Sequence, residues 1–520
     1  MFKNHPKGLL TAALSNMGER FGYYIMNAVL VLFLCSKFGL SEAASGTIYS
    51  FFYAGIYILS LVGGLIADRT QNYKGTIKTG LIIMALGYII LSVPILATSA
   101  NTTWLLTLTC FALFLIAFGN GLFKGNLQAI VGQMYDNFET EAAKQGPEAL
   151  KIAKDKRDSG FQIFYVFINI GGLIAPFIAP VLRQWWLGTN GMSYNAQLPA
   201  LCHEYINNAA TMAPEALANL KQLMTAAGGA ITDLAASCHQ YLQIFNEGIH
   251  YSFIASVAAM LISLVIFFVS QKTFPNPAKK AVTQSVDYTP EEKAAMAKEI
   301  KQRMYALFAV LGIVIFFWFS FHQNGLTLTY FAKEYTDLNL FGMAISAELF
   351  QSLNPIFVVS LTPVIMAVFA AQRAKGKEPS TPRKIAIGMG IAATGFLIMA
   401  IGSYVSNLPM HKDIIALGTS PVKVTPLLLM VTYLILTVAE LYISPLGISF
   451  VSKVAPPKYQ GIMQGGWLGA TAIGNQLLVI GAILYESIPI WMTWTVFVVA
   501  CCISMFTMLF MLKWLEKVAK

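Results

Sequence analysis

Residues 9–34 read Leu-Leu-Thr-Ala-Ala-Leu-Ser-Asn16-Met-Gly-Glu19-Arg20-Phe-Gly-Tyr23-Tyr24-Ile-Met-Asn27-Ala-Val-Leu-Val-Leu-Phe-Leu. The run is long enough to cross a bilayer as a helix, since about 20 apolar residues span its hydrocarbon core. It also carries a glutamate and an arginine. At helical spacing Asn16, Arg20, Tyr23/Tyr24 and Asn27 fall on one stripe, with Glu19 beside it. A polar stripe in an apolar helix must face protein or a water-filled cavity, because lipid cannot solvate it. The stretch therefore predicts a helix inside a bundle of helices. A Glu–Arg pair that only locks helices together is the other reading of these charges.

The rest of the chain supplies the bundle. Of 520 residues, 56% are hydrophobic and 12% charged, with mean hydropathy +0.61. Soluble domains carry about 25% charged residues. Twelve apolar stretches are expected as spans, at 9–34, 44–67, 78–98, 103–128, 161–182, 250–270, 304–331, 345–371, 384–405, 425–450, 461–484 and 490–514. Several exceed one bilayer thickness and are expected to tilt or kink. The first starts near Leu9, carries two charges and is too long for the apolar core of a signal peptide, so no separate cleavable signal is expected.

Net charge is +10. Its distribution explains it. Lys3 and Lys7 stand at the N-terminus, and further Lys and Arg gather in every second loop: Arg69/Lys74/Lys78, Lys144 to Arg157, Lys272 to Arg303, Arg373 to Lys384. This is the positive-inside bias, and it predicts that both termini are cytoplasmic. With no nucleic-acid motif in the chain, no nucleic-acid partner is expected; the lipid bilayer is the expected surroundings. Oligomeric state is left open.

Six spans, a charged segment and six more spans make a plan of two pseudo-repeated halves. The expected division is an N-terminal half from 1–182 and 250–270, a cytoplasmic linker at 271–303 and a C-terminal half at 304–520. In the linker, Tyr288-Thr-Pro-Glu-Glu predicts a helix start with Thr289 as N-cap and Pro290 first. Such a plan puts a solute site near mid-membrane between the halves. Residues 183–249 form an outward-facing polar insertion with Ala-rich helical patches around 207–224 and 228–245. It reads either as a decorative hairpin or as a lid or docking module.

Six cysteines are too few for a disulfide framework. Cys35, Cys110, Cys501 and Cys502 lie in or at the ends of spans and read as inert filler. Cys202 and Cys238 share the insertion, where oxidation is permitted, so a bridge between them is possible. Each precedes a histidine, His203 and His239. Zinc is thus a second reading, without a short ligand spacing to support it.

Further polar residues lie within the spans. Tyr49, Tyr53 and Tyr57 share one face of span two, a pattern equally suited to packing. Lys124 of span four needs a carboxylate or an anionic solute at its depth. Span five offers Gln162, Tyr165 and Asn169. Span seven offers Trp318, His322, Gly325 and Thr329, with Gln323 and Asn324 adjacent. Span eight adds Gln351 and Asn354, span ten Glu440, Ser444 and Gly447, span eleven Gln464, Trp467 and Thr471. Converging from both halves, they would line a cavity with Lys124 and Arg20 on one side and Glu440 on the other. Such a cavity suits a zwitterion with separated ends, Lys124 taking the carboxylate and Glu440 the ammonium. A structural Lys–Glu network is the rival. No metal site, phosphate loop or nucleophile constellation appears, so neither an enzyme nor a cofactor is expected.

These residues resemble the motifs of the proton-dependent oligopeptide transporter family of the major facilitator superfamily. The resemblance rests on Glu19-Arg20-Phe-Gly-Tyr23-Tyr24, Gly63-Gly64-Leu-Ile-Ala-Asp68-Arg69 followed by Lys74, Gly119-Asn-Gly-Leu-Phe-Lys124 and Phe164-Tyr165-Val-Phe-Ile-Asn169-Ile-Gly171. It continues through Phe317-Trp318 to Gln323, Gln351-Ser-Leu-Asn354-Pro355, Glu440-Leu-Tyr-Ile-Ser444-Pro445 and Trp467-Leu-Gly-Ala-Thr-Ala-Ile-Gly-Asn475. It implies an all-α membrane protein of the major facilitator fold, importing di- and tripeptides or peptide-like solutes by alternating access with the proton as coupling ion.

By the same resemblance Tyr24, Tyr57, Lys124, Tyr165, Asn169, Asn354 and Glu440 would line the peptide site; Asn27, Ser444 and Trp467 are added as neighbours. Three positions depart from the family pattern. Asn16 replaces a usual glutamate, Asn27 an arginine, and His322 an acidic residue. Histidine titrates near pH 6.5 when unperturbed, so Glu19, Arg20 and His322 are the expected proton-coupling residues. The alternatives are weakened or altered coupling to another small solute, and a non-transporting sensor or interaction protein.

Overall fold

The computed structural model describes residues 5–40, 42–98, 100–195, 198–275, 290–340, 343–344, 350, 352–411, 413 and 420–519. The first half comprises α1 (Leu9–Phe38), α2 (Glu42–Thr70), α3 (Tyr73–Ser92), α4 (Thr102–Ala143), α5 (Pro147–Thr189) and α8 (Leu234–Ser270). Between the last two lie α6 (Leu198–Asn208) and α7 (Pro214–Ala226). The second half comprises α9 (Pro290–Phe321), a 3₁₀ turn (His322–Gly325), α10 (Thr327–Tyr335), α11 (Leu353–Ala374), α12 (Thr381–Val405), α13 (Pro426–Val454), α14 (Gln460–Gln476), α15 (Leu478–Ser487) and α16 (Ile490–Val518). Two-residue strands, Asn339–Leu340 and Met343–Ala344, pair antiparallel after α10.

Among the described residues 11 helices are long and apolar enough to cross a membrane. The pair Leu9–Asn27 and Leu32–Phe38, bent by 46°, makes a twelfth span. The surface agrees with lipid as solvent: Phe510 is 91% exposed and Val269 77%. In water such a belt would be an aggregation surface; in lipid it carries no penalty.

Helix ends follow local chemistry. Asn72 caps α3 by accepting from the Gly75 N–H at 3.0 Å, and Pro147, Pro382 and Pro426 stand in first turns, where a missing N–H is harmless. Gly39 ends α1 with φ +65°, the left-handed conformation that favours glycine, and its N–H bonds to the Cys35 carbonyl at 3.0 Å.

Three expectations change. First, the patch at 228–245 is not a separate hairpin arm. Asp233 caps a helix by accepting from the Ala236 N–H, and with no breaker after it α8 runs unbroken to Ser270. The other patch forms α7, while α6 starts earlier, at Leu198. Second, the charged segment Lys144 to Arg157 is mostly helix: α4 and α5 extend far beyond the lipid-length runs at 103–128 and 161–182. Third, the seventh span breaks at His322–Gly325, where Leu326 adopts φ −122°, ψ −86°. Thr289 and Gln351 lie outside the described residues.

The halves meet mainly along α2 and α4 against α14, and along α5 against α11 and α13. Among the described residues, the hydrogen bonds joining the halves lie at the central cavity or toward the end of the bundle that carries the chain termini. Toward that end Asp68 accepts from the N–H groups of Gly461 (3.0 Å) and Ile462 (2.8 Å) at the start of α14, where a helix dipole favours an anion. Arg157 donates to the Ser452 carbonyl at 3.2 Å and is paired with Asp136 and Glu139 within its own half. The terminal side of the bundle is thus closed.

Candidate functional site

Between the halves lies a cavity of about 350 Å³. Tyr24, Asn27, Tyr57, Lys124, Tyr165, Asn169, Asn354, Glu440, Ser444 and Trp467 all line it, as do Arg20 and His322. Tyr23, Tyr49 and Tyr53 line it too, so the tyrosine stripe of α2 faces solute space. Glu19 does not reach the lining.

Glu19 instead stands behind the wall, fully buried. Arg20 Nε and Nη2 donate to its two oxygens at 2.6 Å each, and Asn120 Nδ2 adds a third bond at 2.7 Å. The guanidinium lies 4.5 Å from the Tyr23 ring centre. A fork-to-fork pair with a third donor satisfies the carboxylate and fixes the arginine at the cavity edge.

Lys124 is placed differently. Its ammonium sits 5.0 Å from the centre of the Tyr57 ring. Among the described residues no carboxylate lies within ion-pair distance of it. The direct Lys–Glu network is absent there, which leaves this cation available to an anionic solute group.

Glu440 belongs to the second half but is held by both. Tyr165 of α5 donates to Oε1, and Asn354 of α11 donates to Oε2 at 2.6 Å. Asn354 also donates to Thr437 at 3.1 Å. The carboxylate thus bridges the halves through the Tyr165 phenol.

An aromatic wall completes the cavity. The rings of Trp318 and His322 stack at 4.8 Å and 16°, and Trp318 meets Trp467 edge-on at 6.4 Å. Gly447 makes room for Trp467: a Cβ there would stand 1.9 Å from the indole.

Some polar residues fall elsewhere. Gln162 lines a second cavity, of about 120 Å³, with His5 and Asp158 toward the terminal side. Gln464 is buried and donates to the Ile448 carbonyl at 3.1 Å. Gln323 donates to the Phe319 carbonyl and accepts from Thr327. Conversely, Gln128, Ile168, Phe321, Ile448 and Leu468 line the main cavity without having been singled out. Gln128 was findable, four residues beyond Lys124 on the same helical face. The apolar four carry no signal that separates them from packing.

Zinc finds no support in this geometry. Among the described residues no group of three or more His, Cys, Asp or Glu could hold a metal, and His203 Nε2 is engaged with the Ser36 carbonyl at 2.6 Å.

The chain matches the family model described as POT family over residues 74–291 and 278–492. It belongs to that family. It is 28% identical over 496 residues to the peptide transporter YePEPT of Yersinia enterocolitica, covering 91% of this chain and 87% of the relative. It is 26% identical over 461 residues to dipeptide and tripeptide permease A of Erwinia pyrifoliae, covering 87% and 80%. The fold is also that of a crystal structure of peptide transporter POT in complex with sulfate, with TM-score 0.56, 23% identity, and coverage of 100% of this chain and 96% of that one.

Proposed function

We propose that this protein is a secondary active transporter that carries di- and tripeptides or peptide-like solutes into the cell, coupled to protons, by alternating access. One observation carries the reading. Lys124, without a carboxylate partner among the described residues, and Glu440 line one cavity from opposite halves. A peptide carboxylate met by Lys124 and an ammonium met by Glu440 would cross-link the halves, so solute binding itself favours closure around it. Membership of the POT family and the names of the peptide-transporting relatives support the same solute class.

In this reading the terminal side is cytoplasmic, as the positive-inside bias requires, and the insertion faces outward. The terminal side is held shut, which in this reading is the arrangement that receives solute from outside. Of the lining residues, Tyr24, Asn27, Tyr57, Lys124, Tyr165, Asn169, Asn354, Glu440, Ser444 and Trp467 form the solute site. His322 and the Glu19–Arg20 pair carry the coupling proton; no organic cofactor or metal takes part. The test is uptake of labelled dialanine into liposomes, with and without an inward proton gradient. Stimulation by the gradient supports the whole reading. Uptake indifferent to it removes the proton, and no uptake removes the peptide.

A further inference from the structure

We propose that Cys202 and Cys238 form a disulfide that staples the outer insertion, a reading that rests on the outward placement proposed above. Cys202 lies on α6 and Cys238 in the first turns of α8, two helices that pack together. Both side chains are fully buried in the core of the insertion, both are thiols in this structure, and the neighbouring Cys238 thiol helps hold the Cys202 thiol well above its ordinary range. The other cysteines are engaged elsewhere: Cys35 donates to Ser45 at 3.2 Å, Cys110 lies exposed on α4, and Cys501 and Cys502 are chain neighbours on α16. The pairing is therefore unambiguous.

The insertion is fastened at the same place. His203, next to Cys202, bonds to the Ser36 carbonyl, and Asn246, two turns after Cys238, accepts from Ser36 Oγ at 2.7 Å and donates to its carbonyl at 3.2 Å. Both anchors grip the outer end of α1. A bridge between Cys202 and Cys238 ties the two anchors into one body that caps this end, with α7 enclosed in the covalent loop. Oxidation forms one S–S bond and removes two protons and two electrons. These pass by thiol–disulfide exchange to a disulfide-bearing oxidant of the outer compartment, which leaves as its dithiol.

The experiment is sequential labelling. Cells are lysed in denaturant with N-ethylmaleimide, the protein is reduced and then given a second, heavier maleimide, and each cysteine is located by mass spectrometry. The proposal expects the heavier label on Cys202 and Cys238 and the first label on the other four. The first label on both overturns it. A Lys221→Cys variant treated in intact cells with a membrane-impermeant maleimide tests the placement separately. Reaction at the introduced thiol together with free native thiols overturns the bridge alone; no reaction there overturns the outward placement. Trypsin cleavage at Lys221, which lies within the covalent loop, should separate α6 from α8 only after reduction. Separation without reductant counts against the bridge.

Discussion

The carboxylate of Asp158 on α5 and the ammonium of Lys453 on α13 lie 2.8 Å apart and join the two halves. Asp158 also receives Lys384 at 3.3 Å, Ser449 at 2.7 Å and Thr381 at 2.9 Å, all from the second half. Every one of these contacts must break for the terminal side to open. Lys384 keeps Glu378 as a second partner at 2.7 Å, whereas Lys453 has no other carboxylate among the described residues. Removing one member of a buried pair costs about 3–5 kcal/mol. Asp158→Asn is therefore predicted to shift the population toward the terminal-side-open form. Spin labels at Lys151 and Arg383, both exposed, should show a longer distance by pulsed EPR. An unchanged distribution would show that the latch is not what holds this side shut.

A second prediction concerns Glu440. Glu440→Gln keeps the hydrogen bonds of Asn354 but removes the charge. Hydrogen bonds to a charged group contribute about 1.5–3 kcal/mol, so dipeptide affinity should fall by about 10- to 100-fold. N-acetylated dipeptide, which lacks the ammonium, should bind the variant and the parent alike. If both ligands lose affinity equally, Glu440 supports the fold and does not read the amino end.

The Glu19–Arg20 pair yields a stability prediction. Arg20→Ala leaves Glu19 buried with Asn120 as its remaining side-chain partner among the described residues, at a cost of about 3–5 kcal/mol. The double change Glu19→Gln with Arg20→Met removes both charges together and should recover much of that loss. Thermal unfolding in detergent compares the two; a double variant no more stable than Arg20→Ala would refute the account.

How much of this was legible in the sequence depends on what kind of signal a residue carries. Polar residues in a lipid-length helix have nowhere to face but inward, so Lys124, Tyr165 and Glu440 announce the cavity. The same logic cannot separate a lining residue from one behind it: Glu19 and Arg20 are neighbours in sequence, yet only Arg20 reaches the cavity. Ile168 and Leu468 line it invisibly, because an apolar residue in an apolar helix has no distinguishing chemistry. Hydropathy also marks only the lipid-immersed part of a helix, which is why α4, α5 and α8 outrun their expected spans. The break at His322–Gly325 ends on Asn324-Gly325, a turn-favouring pair whose signal is easily passed over inside an otherwise apolar span.

Gly447→Ala tests the shape of the aromatic wall. The added methyl collides with the Trp467 ring at 1.9 Å, and overpacking of this kind costs about 1–3 kcal/mol. The ring's escape is into the cavity it lines. Bulky dipeptides should lose affinity more than dialanine does. An equal loss for all peptides would mean the strain is absorbed by the backbone instead.

His322 carries the last prediction. Asparagine at position 16 cannot titrate, and Glu19 is already committed to Arg20 and Asn120, so protonating it would mean breaking a buried charge pair. His322 differs on both counts. It lines the cavity, and its Nδ1 is buried without a hydrogen-bond partner among the described residues. A histidine can change charge over the pH range of a proton gradient, and at this place the change falls on the solute cavity itself. His322→Gln keeps a polar side chain and removes the titration. Gradient-driven accumulation should fall to simple equilibration, while exchange of labelled for unlabelled peptide, which needs no net proton movement, continues. Loss of both would mean the residue shapes the site. Retention of gradient-driven accumulation would take His322 out of the coupling and leave the proton to the Glu19–Arg20 pair alone or to Glu440, and the Glu19→Gln and Glu440→Gln variants, tested in the same exchange assay, would tell which.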